Sequence, residues 1–399
     1  MTTTRRIITV PAEATTAALR LDYLSSDTLA SKPPSWWRDV LGVVGFEKVP
    51  VIDGAPVPVT ASRILTLGAT EPLCEVWRVA GPATLLSNGA ARQQPAAWHE
   101  RAQGPGRAQG PSRATAHGRV HYRYCDDLLF GYLTVDERFL DSDSRLDPGT
   151  PLGPGAPADS GALFRATEAA YQEIFAVLDE TKHRHLLRIW NYLPEINREA
   201  DGVERYRHFN AARQMAFRNA GRAIMGTVPA ASALGSPAGN PISIYFLAAR
   251  QPPTMIENPR QTSAYHYPAK FGRHSPIFSR ACVLSESAGT NLFVSGTASI
   301  VGHETIHQGD VAAQTRETIA NINALLEEAN RAVGSVRYRL GELKLKVYVR
   351  RPSDLGVIQE VLAGALRPST PVFVKADVCR EDLLVEIEAT GESQDTARD

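Results

Sequence analysis

The chain has 399 residues, 43% hydrophobic and 22% charged, which is enough apolar material for two or three domains of ordinary size. Lys plus Arg and Asp plus Glu each number 43, so the formal net charge is zero and there is no global electrostatic footprint for nucleic acid or an anionic membrane. Cys74, Cys125, Cys282 and Cys379 lie far apart with no C-x-x-C pair, which argues against a disulfide framework or zinc ribbon and for a reducing, cytoplasmic compartment. Met1 to Ile8 lacks a following apolar h-region, and no stretch approaches the roughly 20 apolar residues of a membrane span. Neither export nor membrane insertion is expected.

In chain order, Arg63 to Leu67 and Leu73 to Val79 are short apolar runs broken by Pro and Gly, and they predict strands. Around 88–119 the composition turns to Ala, Gly, Gln, Pro and Arg, with the tandem Arg101-Ala102-Gln103-Gly104-Pro105 and Arg107-Ala108-Gln109-Gly110-Pro111. Such a segment buries too little apolar surface to offset its ordering entropy and reads as a solvated, mobile insertion. A strand pair is predicted at His121 to Tyr124 and Leu128 to Val135, and a Pro/Gly linker near 147–160. Phe164, Tyr171, Ile174, Phe175 and Leu178 then share one helical face. Leu187 to Pro194 reads as a strand, and a helix from about Val203 to Asn219 sets Arg213 on the same face as Tyr206, Phe209 and Phe217.

The second half offers strands at Ile242 to Ala249, Phe278 to Leu284 and Leu292 to Val301, then a helix that Asp310 can cap, with Ile319, Ile322, Leu325, Leu326 and Ala329 at core spacing. Strand Leu343 to Val349, helix Pro352 to Leu366 and strands Pro371 to Val378 and Leu383 to Ala389 complete the order β-β-β-α-β-α-β-β. Strand runs with helices on one face indicate an α+β layer architecture. The division expected from this order is an N-terminal unit over 1–235 and a C-terminal unit over 236–392.

His303-Glu304-Thr305-Ile306-His307 matches H-E-x-x-H literally, but zinc chemistry needs both imidazoles on one helix face. Here the motif follows a β-branched run and precedes the Asp310 cap, so a strand end or loop is expected and no metal site. No G-x-G-x-x-G, P-loop or G-x-S-x-G pattern occurs. A cofactor-independent enzyme or a metabolite-binding protein remains.

The signal left is a set of cations and hydrogen-bond donors beside carboxylates in apolar strands. Arg188, Asn191 and Tyr192 stand among Ile189, Trp190 and Leu193, while Tyr265-His266-Tyr267-Pro268 puts two phenols and an imidazole before a rigid turn. Buried guanidinium groups need anionic partners, either an internal carboxylate or an anionic small molecule. In the last strand, period two places Leu383, Val385 and Ile387 on one face and Leu384, Glu386 and Glu388 on the other. The plain reading is a solvated face; the alternative is that Glu386 meets a substrate.

Phe293-Val294-Ser295-Gly296-Thr297-Ala298, Gly309-Asp310-Val311-Ala312-Ala313-Gln314-Thr315, Leu345-Lys346-Val347-Tyr348-Val349 and Val385-Glu386-Ile387-Glu388-Ala389 together resemble the RidA/YjgF superfamily over roughly residues 240 to 392. With Arg188-Ile189-Trp190-Asn191-Tyr192, Tyr206-Arg207, Glu257-Asn258-Pro259, His266-Tyr267-Pro268 and the run Cys379 to Glu388, the chain resembles the chorismatases over most of its length. The resemblance implies two RidA/YjgF-like (chorismate-mutase-like) domains of mixed sheets with helices packed on one face, with the active site near their junction. It further implies chorismate as the small-molecule substrate, no cofactor, and a monomer or small homo-oligomer. Glu386 matches the family's catalytic acid, and burial would have to raise its pKa. Arg188, Arg207, Arg213 and Arg280 are the candidates for the substrate carboxylates, and Asn191, Tyr192, Tyr265, His266, Tyr267 and Gly296 complete the expected binding set. Gly296 resembles the aromatising branches, and Cys379 the branch that forms 3-hydroxybenzoate, with 4-hydroxybenzoate or hydrolysis to 3,4-dihydroxycyclohexa-1,5-dienoate as the other outcomes. Outside this class stand an imine deaminase, which would need an arginine where Pro371 lies, and a non-catalytic binder with an exposed Glu386.

Overall fold

The computed structural model describes residues 18–52, 57–80, 120–137, 161–200, 202–286, 289–366 and 370–393. The insertion expected near 88–119 and the linker expected near 147–160 lie outside the described residues. The main strands and helices of the described residues, in chain order, are β1 (Ala18–Ser25), β2 (Val40–Gly45), β3 (Val59–Ala61), β4 (Leu65–Leu67), β5 (Leu73–Ala80), β6 (His121–Tyr124), β7 (Leu128–Val135), α1 (Gly161–Thr181), β8 (His185–Pro194), α2 (Arg205–Asn219), β9 (Ala230–Ser236) and β10 (Ile242–Ala249). There follow β11 (Thr254–Ile256), β12 (Ala281–Glu286), β13 (Gly289–Ala298), α3 (Val311–Ala332), β14 (Lys344–Val349), α4 (Leu355–Ala365), β15 (Val372–Lys375), β16 (Asp377–Val378) and β17 (Val385–Ser393).

Three large sheets result, in the orders β1-β5-β2-β3, β16-β9-β8-β10-β7-β6 and β11-β12-β13-β17-β14-β15-β4. The second and third share one connectivity. Each has an antiparallel hairpin (β6-β7, β12-β13), a parallel pair joined through a helix (β8 and β9 through α2, β14 and β15 through α4) and a closing strand (β10, β17) inserted between the two. The division expected near residue 235 is therefore corrected, because Ile242–Ala249 closes the second sheet by pairing with both β7 and β8. Strands also cross between sheets: β4 extends the third sheet against β15, and β16 extends the second against β9.

Helices cover the outer faces. Tyr171, Ile174, Phe175 and Leu178 of α1 and Phe209 and Phe217 of α2 fill the core behind the second sheet. Phe164 is half-buried, and its neighbour Leu163 takes the core position. Asp310 caps α3 as expected, accepting from the Ala313 N–H at 2.9 Å, and Ile322, Leu325, Leu326 and Ala329 pack behind the third sheet. No helix among the described residues is long and apolar enough to cross a membrane.

The inner faces of all three sheets meet in a central core that includes Trp77, Trp190, Tyr245, Phe293 and Tyr348. β8 therefore has no solvent face: Leu186, Ile189 and Leu193 pack outward, and Trp190 and Tyr192 inward. At the centre sits a charge cluster. Lys346 Nζ lies 2.5 Å from Glu75 Oε1 and 2.9 Å from Glu388 Oε1, and it donates to Tyr245 Oη at 3.1 Å. Burial alone would lower the lysine pKa, but Glu388 and Glu75 outweigh it and hold the ammonium well above its usual range. Removing only the cation leaves two carboxylates desolvated together. Lys346→Met is expected to lower the unfolding free energy by about 3–5 kcal/mol, and adding Glu75→Gln to restore much of that loss. Urea titrations of the double-mutant cycle check this, and additive losses would contradict it.

Candidate active site

The closing strand β17 carries the site. Val385, Ile387 and Ala389 point into the core beneath α3 and α4, so alternation sends Glu386 and Glu388 to the inner face. That face does not meet open solvent: Glu386 is 4% exposed and Glu388 6%. The loop before the strand is pinned by Arg350, which donates to the carbonyls of Val378, Arg380 and Leu383 at 2.7–2.8 Å. Gln314 on α3 accepts from the Leu384 N–H at 2.8 Å and donates to the Asp382 carbonyl at 2.9 Å.

The two carboxylates have opposite surroundings. Glu388 Oε1 accepts from Trp190 Nε1 at 2.8 Å beside the Lys346 ammonium, and Oε2 accepts from Arg188 (2.7 Å), Tyr348 (2.8 Å) and Ser232 (3.1 Å). Burial would raise its pKa, but Lys346 and Arg188 override that and hold it below the usual carboxylate range. Glu386 instead lines a cavity of about 530 Å³, within the size range of small-molecule sites. Burial first, and the negative Glu388 second, push its pKa from 4.5 to about 8 against the pull of Arg188, Arg350 and Arg280. One face of one strand thus holds a fixed anion and a carboxylic acid that is neutral at neutral pH.

A β-bulge shapes the wall beside Glu386. Val294 pairs with Ala389 and Thr297 with Ile387, so Ser295 and Gly296 together oppose Glu388. A Cβ built on Gly296 falls onto the Glu386 carboxylate and 2.9 Å from Ser232 Oγ, so any side chain here would displace the acid.

Of the residues expected in the site, Glu386, Cys379, Arg207, Tyr267, Arg280 and Gly296 all line the cavity. Arg280 is 3% exposed; its Nη2 donates to the Thr262 carbonyl (2.7 Å) and the Tyr267 hydroxyl (2.8 Å), while its Nε has no partner. Arg207 is exposed and only 3.8 Å from Glu204. Cys379 is pushed up to about 12, chiefly by burial and then by Glu386, so it is a thiol and not a thiolate at neutral pH.

The other six expected residues do not line the cavity. Arg188 is matched by Glu388; Asn191 donates to the Ser232 carbonyl and accepts from Tyr171; the Tyr192 hydroxyl lies 3.3 Å from those of Tyr245 and Tyr348. Arg213 is buried with its guanidinium over the rings of Tyr171 and Phe217 at 5.5 and 5.7 Å. Tyr265 packs against the core behind the second sheet, edge-on to an exposed His266. These residues build the structure behind the site.

Arg380 is the cationic cavity residue absent from the expected set, and Glu204, Tyr206, Phe271 and Phe278 are further lining residues that were not expected. The Arg380 guanidinium stacks on Phe271 at 4.1 Å and lies 5.2 Å from the Tyr267 ring, and it donates to the His303 carbonyl at 2.9 Å and Thr305 Oγ1 at 3.2 Å. The H-E-x-x-H run is thus part of a hairpin, Ile300–Val301 against Glu304–Thr305, that anchors Arg380, and its imidazoles do not share a helix face. Glu388 and Lys346 were also missed, although a charge between apolar neighbours marked both.

Residues 107–248 match the family model described as chorismatase FkbO/Hyg5-like, N-terminal, and residues 277–392 match that described as endoribonuclease L-PSP. A 3-hydroxybenzoate synthase of Streptomyces hygroscopicus is 41% identical over 239 residues, 57% of this chain and 70% of that one. A chorismatase of Streptomyces rapamycinicus is 36% identical over 300 residues, 73% of this chain and 80% of that one. A crystal structure of a chorismatase superposes with a TM-score of 0.71 at 28% identity, covering 94% of this chain and 99% of that one. A RutC family protein of Pyrococcus horikoshii is 36% identical over 107 residues, 26% of this chain and 79% of its own. The chain belongs to the chorismatase family, and its third sheet with α3 and α4 is the RidA/YjgF-like part.

A neutral buried acid has a stability signature. Because its folded-state pKa lies above the unfolded value, Glu386 opposes folding increasingly from about pH 4.5 to about pH 8. Near pH 7 that cost is roughly 3 kcal/mol, from 1.36 kcal/mol per pH unit. Glu386→Gln is expected to melt above the wild type at neutral and alkaline pH and to converge with it below about pH 4, and a melting difference independent of pH would contradict the assignment.

Proposed function

We propose that this protein cleaves chorismate to pyruvate and a hydroxybenzoate, with 3-hydroxybenzoate the favoured isomer, and that Glu386 is the proton donor. The observation that carries this reading is the Glu386 carboxyl, buried at the wall of the cavity with a pKa near 8. Chorismate has an enolpyruvyl ether, a neighbouring hydroxyl and two carboxylates. Arg280 and Arg380, both on the cavity wall, suit the carboxylates, with Arg207 at the exposed rim.

Glu386 donates its proton to the methylene carbon of the enolpyruvyl group, giving an oxocarbenium ion. The ring hydroxyl or water then traps that ion, and collapse releases pyruvate. Hydroxybenzoate plus pyruvate contain the same atoms as chorismate, so the aromatising outcome consumes no net water, whereas the dihydroxy acid takes up one. Tyr206, Phe271, Phe278, Ala298 and Ile300 give the cavity an apolar and aromatic side alongside its polar residues, a surface that suits the ring. The neutral Cys379 thiol lines the same cavity and is a weaker acid than Glu386, which leaves Glu386 the proton donor. The 41% identity to a protein named 3-hydroxybenzoate synthase supports the same isomer. Burial of Glu386 speaks against the non-catalytic binder, for which an exposed carboxylate was expected.

Purified protein incubated with chorismate is expected to release pyruvate and 3-hydroxybenzoate, resolved by chromatography, and no pyruvate would refute the reading. Glu386→Gln is expected to lose about 10²–10⁴-fold in kcat, and wild-type activity to fall as pH rises through about 8, where the acid ionises. Gly296→Ala is expected to displace the Glu386 carboxyl in a crystal structure and to change the product ratio; an unmoved carboxyl with unchanged products would contradict the packing argument.

A further inference from the structure

Ser232 has an unusual position for a small polar side chain: it is buried, and every hydrogen-bonding capacity of its hydroxyl is used. Its Oγ accepts from Arg188 Nη2 at 2.5 Å and from the Gly296 N–H at 3.1 Å, and donates to Glu388 Oε2 at 3.1 Å. The Gly296 N–H belongs to the bulge whose missing side chain makes room for Glu386. One hydroxyl therefore links the central charge cluster to the backbone against which the acid packs.

We propose that Glu388 and Ser232 are positioning residues for the reaction, Glu388 as a fixed anion beside the Glu386 carboxyl and Ser232 as the tie that seats the Gly296 bulge against it. The proposal rests on the reading of Glu386 as the proton donor. Facing Glu386 are Glu388 on its own strand, its register partner Tyr348 and then Arg350 on and just after β14, Arg188 on β8, Arg280 at the start of β12, and Cys379 before β17. Three of these are cations, and in their presence a carboxyl would ordinarily ionise. Glu388 is the carboxylate among them, and its five donors leave it no freedom to turn away or take up the proton itself. The cluster thus fixes a negative charge two residues from the acid, on the same face of the same strand.

The test separates this from the function itself. Infrared difference spectra, with Glu386→Gln used to assign the protonated carboxyl band, titrate Glu386 without substrate. In Glu388→Gln the midpoint of that band, and the alkaline limb of kcat, are expected to move down by about one pH unit or more, since a like charge is lost and two cations are less neutralised. Glu388→Gln with Lys346→Met and Glu75→Gln removes the central charges together, leaves no carboxylate there without its cation, and is expected to shift the midpoint in the same direction. Ser232→Ala is expected to lower kcat roughly tenfold while KM changes less than about threefold. A folded Glu388 variant with an unmoved midpoint overturns the role of Glu388, and an unchanged kcat in Ser232→Ala overturns that of Ser232. A shifted midpoint in a protein that releases no pyruvate from chorismate would instead fault the functional reading.

Discussion

The buried Glu388 carboxylate is the constraint around which the structure is arranged. Its donors come from the second sheet (Arg188, Trp190, Ser232) and the third (Lys346, Tyr348), and Lys346 reaches on to Glu75 in the first. Hydrophobic burial is non-directional and could pack three sheets in several registers, whereas a desolvated ion cluster tolerates only the register that satisfies every donor and acceptor. The strand that bears Glu388 also bears Glu386, so the cluster that holds the sheets together also sets the height and depth of the acid in the cavity.

The proposed chemistry depends on that placement. An acid able to protonate a carbon near neutral pH must stay neutral, and a site able to hold a dianionic substrate must be cationic; these demands conflict. The fold separates them. The inner cation Arg188 is neutralised by Glu388 behind the acid, while Arg280 and Arg380 are held on the cavity wall by carbonyl, hydroxyl and aromatic contacts instead of carboxylates. Both wall cations remain available for an anion, and the acid sits between a fixed anion and the open cavity. Such a site is costly to fold, in keeping with the tension between stability and function at active sites.

Much of this was legible in the sequence, and the exceptions have physical causes. The Asp310 cap and the alternation at Glu386 are local features and are found as read, whereas β1, β2, β3, β9 and β11 carried no predicted strand and the run 371–378 divides into β15 and β16. Of the cavity residues found, Tyr267 was marked by its own pattern and Glu386 stood between a solvated strand face and a substrate contact, whereas Cys379, Arg207, Arg280 and Gly296 came from resemblance. Arg188 and Arg213 were placed with the substrate because a buried arginine demands an anion or an aromatic face. A one-dimensional pattern cannot show that Glu388, 200 residues away, supplies the first and Tyr171 with Phe217 the second. The closing strand Ile242–Ala249 was assigned to the C-terminal unit because its partners lie before it in the chain, β8 beyond α2 and β9, and β7 beyond α1 as well, a pairing that sequence order does not reveal.

The central claim is that a proton passes from Glu386 to the methylene carbon of the enolpyruvyl group, and turnover in deuterated water tests it most directly. With pyruvate trapped as lactate by a coupled dehydrogenase before its methyl group can exchange, the account predicts one deuterium in that methyl group. A methyl group free of deuterium would mean that the hydrogen came from within chorismate, and that Glu386 is not its source.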